Sequence, residues 1–450
     1  MRILLLSGGS GKRLWPLSND ARSKQFLKLL KAPDGKRESM VQRIVRQIKE
    51  SGLDASITIA TSVSQKDAIT SQLGSHVDVV TEPERRDTFP AIALSTVYLL
   101  KEQHCDRNEV VVVMPIDPYT EESYFHTVGQ MAQIAAQGRA DLVLMGISPT
   151  QPSSKFGYII PDLEKERDGI FPVMRFVEKP DSRTAERLIL DGAMWNGGVF
   201  AFKLGYLADI VDRYIHTETF AELRSRYVEL PQISFDYEVV EKATSVVVLP
   251  YGGKWKDLGT WNSLTEEMSD RTTGNAVIGE AAEETHVVNE LDIPIVCLGT
   301  KNIVVAASPD GILVSDKRAC AQLKSYADRF APRPMYEERR WGTYKVMGYN
   351  VLPDGYRALT KLLCIKAGCN ISYQYHNLRE EVWTFIDGRG RLALDGKIVE
   401  VGRGDVVHIK SGQKHAVRAV TDLQIIEVQM GSELVEEDIV RLDWEWLGKA

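Results

Sequence analysis

The sequence predicts an α/β protein with a mostly parallel sheet, followed by a short β-rich segment and a C-terminal β-barrel. Three observations lead to that reading. From the start to about residue 150, short apolar runs alternate with stretches of helical periodicity, the pattern of strands joined by crossover helices. Near residue 270 the helical pattern gives way to apolar pairs and triplets separated by Gly, Asn, Asp and Pro. Beyond the Pro-rich stretch from Phe330 to Met335, alternating patterns bounded by glycine turns fill the remainder. At 450 residues the chain exceeds one ordinary core, and boundaries are expected at 1–270, 271–330 and 331–450.

Ile3 to Leu6, Ser56 to Ala60, Val77 to Val80, Val110 to Met114 and Leu142 to Met145 read as strands. Between the first two, Met40, Val41, Ile44, Val45 and Ile48 repeat at helical spacing, and after the third, Pro90 opens an apolar helix through Leu100. Ligands of such sheets sit beyond the carboxyl ends of the strands, where SGGSGKR and MPIDP fall. In the middle segment HVV, IPIVCL, NIVVAA and GILVSD read as strands and turns, without a strict hexapeptide repeat. In the last, LTKLLCIKAG, EVWTFIDGRG, RLALDGKIVEV and LQIIEVQM read as antiparallel barrel strands.

Bulk composition narrows the function classes. The net charge is −7 and no long basic block occurs, which argues against a nucleic-acid footprint. The five cysteines are odd in number and lack a CxxC spacing, so neither a disulfide framework nor a thiolate zinc site is expected, and a reducing cytoplasm fits. No apolar stretch reaches about 18 residues, and the N-terminal run is too short for a signal peptide, so no membrane contact is expected.

The first thirty residues carry the strongest functional signal. A buried strand, RILLL, runs into SGGSGKRLWP and then SKQFL. Glycines let backbone N–H groups approach a phosphate, and Lys12, Arg13 and Lys24 bring the matching charge. A Walker A loop is excluded, because Leu6 stands in place of its first Gly and Arg13 in place of its Ser or Thr. A dinucleotide fingerprint fails at Leu14, which takes the place of the third Gly. What remains resembles the signature of sugar nucleotidyltransferases, in particular the mannose-1-phosphate guanylyltransferases, which reads LSGGSGTRLWPLS followed by PKQFL. Lys12 replaces the usual Thr and Ser23 the usual Pro. The resemblance implies a Rossmann-like nucleotidyltransferase domain in which Ser7, Gly8, Gly9 and Gly11 cradle a triphosphate. Arg13 then steadies the leaving pyrophosphate, and Lys24 reaches the reacting phosphates.

Nucleotidyl transfer needs charge neutralisation and in-line positioning more than it needs an acid or base. Asp117 in VVVMPIDP closes an apolar strand, where it is either an Asp-Pro turn or a metal ligand. The family reads LPADH here and SDVGSW where this chain has WKDLGTW, so the resemblance implies Asp117 and Asp257 as Mg²⁺ ligands, with Pro118 in place of the usual His. In FVEKP, Glu178 and Lys179 make an ordinary ion pair on their own. In family terms Glu178 binds sugar hydroxyls and Lys179 the sugar phosphate. FGYI and WNGGVF resemble GYGYI and WNSGMF, which implies Gly157 and Asn196 in the sugar pocket. FDYEVVEK resembles IDYAVMEK and points Asp236 to the sugar, while Glu241 fits a helix surface equally well. EPERRDTFPAIAL resembles EPxxRNTAPAIAL, with Asp87 for Asn and Phe89 for Ala; Arg86 is either a nucleotide contact or a solvated residue on a capped helix.

In the C-terminal part, Gly368, Gln374, His376, Glu381 and Gly388 reproduce the first cupin motif, with Gln in the first His position. Gly404, Gly412 and His415 fit the second motif, with Lys410 replacing its Pro. Gln374, His376, Glu381 and His415 are therefore candidate ligands for Zn²⁺ or another divalent metal. Nearly the whole chain resembles the long bacterial guanylyltransferases, some of them fused to a mannose-6-phosphate isomerase, whose middle segment is a short left-handed β-helix. Fused isomerases usually read QMHHHRAEHW, and this chain has QYHNLREEVW. Asn377, Leu378 and Val382 replace three histidines, which predicts weak or absent isomerase activity.

The resemblance implies synthesis of GDP-mannose and pyrophosphate from GTP and α-mannose 1-phosphate with Mg²⁺, by a cytoplasmic homodimer. The residues alone do not fix guanine over another base, nor mannose over another sugar. A bifunctional enzyme that also interconverts mannose 6-phosphate and fructose 6-phosphate stays open.

Overall fold

The computed structural model describes residues 1–9, 12–19, 22–330, 333–435 and 438–446. The chain divides into two compact units, one of Met1–Gly11 with Ser23–Ser269 and the other of Lys12–Arg22 with Asp270–Ala450.

The first unit is built on a nine-stranded sheet. Asp78–Glu82, Ser56–Ser62, Arg2–Ser7 and Val110–Pro115 lie side by side and parallel. Val111, Val112 and Val113 are fully buried in succession because helices cover both faces, so the strand reads as a continuous apolar run rather than an alternation. Met194–Lys203 then enters antiparallel to Val110–Pro115, and beyond it follow Leu142–Ile147, Val246–Tyr251, Phe171–Val177 and Tyr158–Pro161. The sheet is thus mixed: parallel across the strands that carry the glycine loop, and mainly antiparallel after Met194–Lys203.

The helix Met40–Glu50 starts at a capping box in which Ser39 accepts from the Gln42 N–H and Gln42 reaches back, and it buries the five apolar residues of its repeat. The helix expected from Pro90 begins two residues earlier, at Thr88, and spans Thr88–Lys101. Asp87 is its N-cap, accepting from the Thr88 N–H, and Pro90 sits within the first turn, where its missing N–H costs nothing. A short ribbon outside the main sheet pairs Pro118–Thr120 with Trp255–Asp257, setting Asp257 opposite Pro118.

In the second unit, Thr272–Thr273, His286–Asn289 and Ile303–Ser308 stack in parallel, and Ala276–Ile278 stacks on Ile295–Cys297. Val287, Cys297 and Val305 fill the interior of these rungs. The segment Lys12–Arg22 belongs to this unit: the Ser308 hydroxyl donates to the Pro16 carbonyl at 2.7 Å, and Lys12 pairs with Asp328 at 3.2 Å. The barrel follows as two antiparallel sheets of six and five strands around a core that includes Trp383, Phe385, Leu392 and Ile425. Along Arg379–Asp387 the burial alternates, so Arg379, Glu381, Trp383 and Phe385 face inward and Val382 faces the other way. Among the described residues no helix is long and apolar enough to cross a membrane.

Candidate active site

Strand Arg2–Ser7 delivers Ser7, Gly8 and Gly9 to the carboxyl edge of the sheet. Gly9 has φ +107°, a conformation that disfavours any side chain, whereas Gly8 adopts no such angle. A buried polar network holds this turn. Gln25 donates to the Ser7 hydroxyl at 3.1 Å and to Gln65 Oε1 at 3.2 Å, while Gln65 donates to Ser23 Oγ at 2.6 Å. Thr61 and Ser23 add bonds to the Ser7 and Gly9 carbonyls at 3.2 and 3.3 Å. The Ser23 hydroxyl thus gives the loop an anchor that the family's proline does not have. Gly11 lies outside the described residues, and Arg13 is exposed in the turn Lys12–Leu14 of the second unit.

Gly8, Gly9, Lys24, Glu82, Arg86 and Asp117 help line a cavity of about 460 Å³ in the first unit. Arg86 faces it with its guanidinium already committed, donating to the Leu230 carbonyl at 3.1 Å and to Glu84 at 2.7 Å. Glu82 is pushed up to about 7 by burial, against the hydrogen bond from Tyr227 at 2.7 Å that stabilises its charge. Asp87 sits at φ 73° and ψ −174°, a backbone region that is otherwise nearly glycine-only and marks local strain.

Lys24 joins the two predicted metal carboxylates. Its Nζ is 2.5 Å from Asp117 Oδ2 and 3.7 Å from Asp257 Oδ1. Asp117 comes from the end of Val110–Pro115 and Asp257 from the ribbon, so the cross-strand register between Asp257 and Pro118 is what brings them together. All three side chains are partly exposed, at 14, 32 and 33% for Lys24, Asp117 and Asp257.

The predicted sugar residues also converge. A Cβ on Gly157 would collide with the Glu178 carboxylate and the Phe176 ring, so only glycine lets that carboxylate approach. Asn196 accepts from the Gly198 N–H at 3.0 Å and donates to Asp236 Oδ1 at 2.5 Å. Lys179, at φ 43°, pairs with Glu178. Burial, reinforced by the Glu178 charge, pushes Asp236 up to about 6, against the hydrogen bond from Asn196. Phe156 packs on Trp195 and Trp255, with centroids 4.8 and 5.4 Å away, and forms an aromatic wall.

In the barrel, ligand atoms of His376, Glu381 and His415 lie within 4.8 Å of one another, all buried. His376 Nε2 is 3.1 Å from Glu381 Oε1, and His415 Nε2 is 3.6 Å from Glu381 Oε2. His415 Nδ1 lies 3.0 Å from the Gln413 carbonyl and His376 Nδ1 3.3 Å from that of Asp438, contacts that help orient each ring with its Nε2 toward Glu381. Arg379, Trp383 and Gln429 also donate to Glu381, at 3.0, 3.1 and 3.2 Å. Burial alone would raise the Glu381 pKa, but the bond from His376 and the charges of His415 and Arg379 override it and hold it below the usual carboxylate range. Burial lowers His415. Gln374 is buried beside His415 in the ladder, and its amide oxygen accepts from Ser372 at 2.9 Å. Asn377 and Leu378 are exposed and Val382 is on the outer face of its strand, so the three positions where fused isomerases carry histidine lie away from Glu381. Their replacement carries no argument about chemistry at this cluster.

Residues 2–274 match the family described as nucleotidyl transferase, which spans more than half of the chain. The chain belongs to the nucleotidyl transferase family. Residues 333–444 match the family described as mannose-6-phosphate isomerase C-terminal. The mannose-1-phosphate guanylyltransferase of Salmonella montevideo is 29% identical, covering 97% of this chain and 98% of its own. The xanthan biosynthesis protein XanB of Xanthomonas campestris is 30% identical over 98% of this chain and 97% of its own. A solved structure from Thermus thermophilus, described as a mannose-1-phosphate geranyltransferase, has a TM-score of 0.59 and 28% identity, and covers 73% of this chain and 98% of its own.

Several functional residues of this nucleotidyl transferase escaped the sequence reading. Thr61 lies near the end of the strand Ser56–Ser62 and Gln65 just after it, with no motif around them, and Gln25 was visible only as part of SKQFL. Trp383 carried a weak signal, the inward period of two that it shares with Glu381.

Proposed function

We propose that the chain transfers guanylate from GTP to α-mannose 1-phosphate, giving GDP-mannose and pyrophosphate, with Mg²⁺ held by Asp117 and Asp257. The observation that carries this reading is the convergence of Lys24, Asp117 and Asp257, with Lys24 and Asp117 lining the same cavity as the glycine turn. Two carboxylates against one ammonium leave local negative charge and offer the oxygen donors that Mg²⁺ prefers. Bound Mg²⁺ would supply positive charge to phosphate oxygens. The names of relatives matched over nearly their full length support guanylate and mannose 1-phosphate as the substrates.

In the transfer, a phosphate oxygen of the sugar phosphate attacks the α-phosphorus. The bond from that phosphorus to the oxygen bridging to the β-phosphate breaks, and pyrophosphate leaves with the electron pair. Lys24 holds the reacting phosphates and Arg13 the leaving group. Glu178 and the Asn196–Asp236 pair orient the sugar hydroxyls, with Lys179 on the sugar phosphate. Relatives named for alginate and xanthan biosynthesis support polysaccharide assembly as the use of the product, and the proposed setting is a cytoplasmic homodimer.

The barrel is proposed to hold a divalent metal through His376, Glu381 and His415, with Gln374 beside them. His415 Nε2 is buried without a hydrogen-bond partner and is turned toward Glu381, which fits a ligand atom awaiting an ion.

The deciding experiment is pyrophosphate release from a panel of nucleoside triphosphates against several sugar 1-phosphates with Mg²⁺. GTP with mannose 1-phosphate is expected to lead. Another pair that is tenfold faster, about 1.4 kcal/mol of transition-state preference, replaces the named substrates.

A further inference from the structure

We infer that Arg22 is a positioning residue for the transfer reaction, and that it ties the half of the glycine-rich signature carrying Arg13 to the first strand of the barrel. The inference rests on the role proposed above for Arg13. Arg22 donates through Nη1 and Nη2 to the two Glu290 oxygens at 2.7 and 2.9 Å, a bidentate pair. Its guanidinium also lies over the Tyr336 ring, 4.8 Å from the centroid. Glu290 directly follows the rung His286–Asn289, and Tyr336 opens the barrel strand Tyr336–Arg339.

A second bridge repeats the arrangement. Asp310 accepts from Asn19 with one carboxylate oxygen and from the Met335 N–H with the other, each at 2.8 Å. Both ties grip the C-terminal end of the segment Lys12–Arg22, and both reach the residues that open the barrel. Arg13 is exposed in the first turn of the same segment, so its position is inherited from whatever fixes that segment. With 16% of its side chain exposed, Arg22 is sheltered enough for a two-pronged pair to hold one geometry, which a fully solvated ion pair does not do.

The test measures pyrophosphate release by the full chain from GTP and mannose 1-phosphate. Arg22→Ala and Tyr336→Leu are expected to lower kcat by roughly 10- to 10²-fold, the scale of a misplaced catalytic group, with KM for mannose 1-phosphate unchanged. Tyr336→Phe should keep the rate, because the ring and not the hydroxyl faces the cation. Arg22→Lys should restore only part of it, because an ammonium cannot make the planar fork. The decisive readout is Arg22→Ala combined with Arg13→Ala: no loss beyond Arg13→Ala alone shows that Arg22 acts through Arg13. Should Arg22→Ala not fold, Tyr336→Leu in the Arg13→Ala background gives the same readout. Full kcat in both Arg22→Ala and Tyr336→Leu beside a disabled Arg13→Ala overturns the inference alone, as do losses that multiply in the double variant. Full kcat in Arg13→Ala overturns both the proposed role of Arg13 and this inference.

Discussion

Two of the clusters in which carboxylates meet cations or imidazoles, one in each unit, differ in how far each is removed from water. In the nucleotidyl transferase unit, Lys24, Asp117 and Asp257 keep 14 to 33% of their side chains exposed. In the barrel, His376, Arg379, Glu381 and His415 keep 3% or less. Screened charges exchange partners at low cost, which suits the nucleotide-binding role proposed for this cluster. A buried carboxylate is tolerated only when its lone pairs are filled, and Glu381 is satisfied by Arg379, Trp383 and Gln429 as well as by His376. Similar residue types therefore give a labile site in one unit and a fixed one in the other.

That contrast breaks most visibly at Glu381. Glu381→Gln leaves Arg379 buried without its carboxylate and should cost about 3–5 kcal/mol, read as a large fall in the melting temperature, with divalent metal lost on elemental analysis. An unchanged melting temperature would mean that the barrel cluster is as adaptable as the exposed one. On the other side, Asp117→Asn and Asp257→Asn should each lower pyrophosphate release by about 10²–10³-fold while the fold survives, because both side chains are partly exposed, at 32 and 33%. Near-normal turnover at saturating Mg²⁺ removes that residue from the proposed metal site.

Asp236 sharpens the comparison because it sits between the two regimes. Burial raises its folded pKa from 3.8 to about 6, so the native state prefers the protonated form. Its charge therefore destabilises the fold above about pH 6, and that penalty fades as pH falls toward the unfolded value. Asp236→Asn should accordingly raise stability at pH 7 by on the order of 2 kcal/mol and leave it unchanged at pH 4, while weakening sugar binding, as seen in paired melting curves and KM for mannose 1-phosphate. A mutant that melts below the parent at pH 7 would show that the bond to Asn196 outweighs the burial penalty. The smallest effect is expected at Ser23, where Ser23→Ala removes the hydroxyl that joins Gln65 to the Gly9 carbonyl and should cost about 1 kcal/mol in denaturant unfolding.

Much of both sites was legible because their chemistry is carried by short runs. SGGSGKRLWP, MPIDP, FVEKP and WNGGVF each place their residues on a strand end or the turn after it, and Gly157 lies against Glu178 as Asn196 does against Asp236. The barrel residues were legible through fixed motif spacing, and alternation along Arg379–Asp387 explains why Glu381 faces inward. Less legible was the role of residues that act only through partners distant in sequence. Nothing around Gln65 announces that it will meet Ser23, and Val382 read as a lost catalytic position until its strand face was known.

By itself the sequence marked many of the segments that become strands, because β-branched runs such as VVVVM favour the extended state and alternating runs such as REEVWTFID bury one face at a period of two. It also marked a glycine turn followed by cations, the pattern on which the proposed phosphate binding rests. Strand order and register were decided by the tertiary structure alone. Met194–Lys203 enters the sheet antiparallel, and the Asp257–Pro118 register brings Asp257 to the ammonium that Asp117 also holds. It also decided the membership of the signature loop, whose residues from Lys12 to Arg22 belong with the rungs and the barrel. The physical reason is the same in each case: periodicity is a local property, whereas pairing partners are chosen by which distant surfaces bury most apolar area and satisfy most polar groups at once.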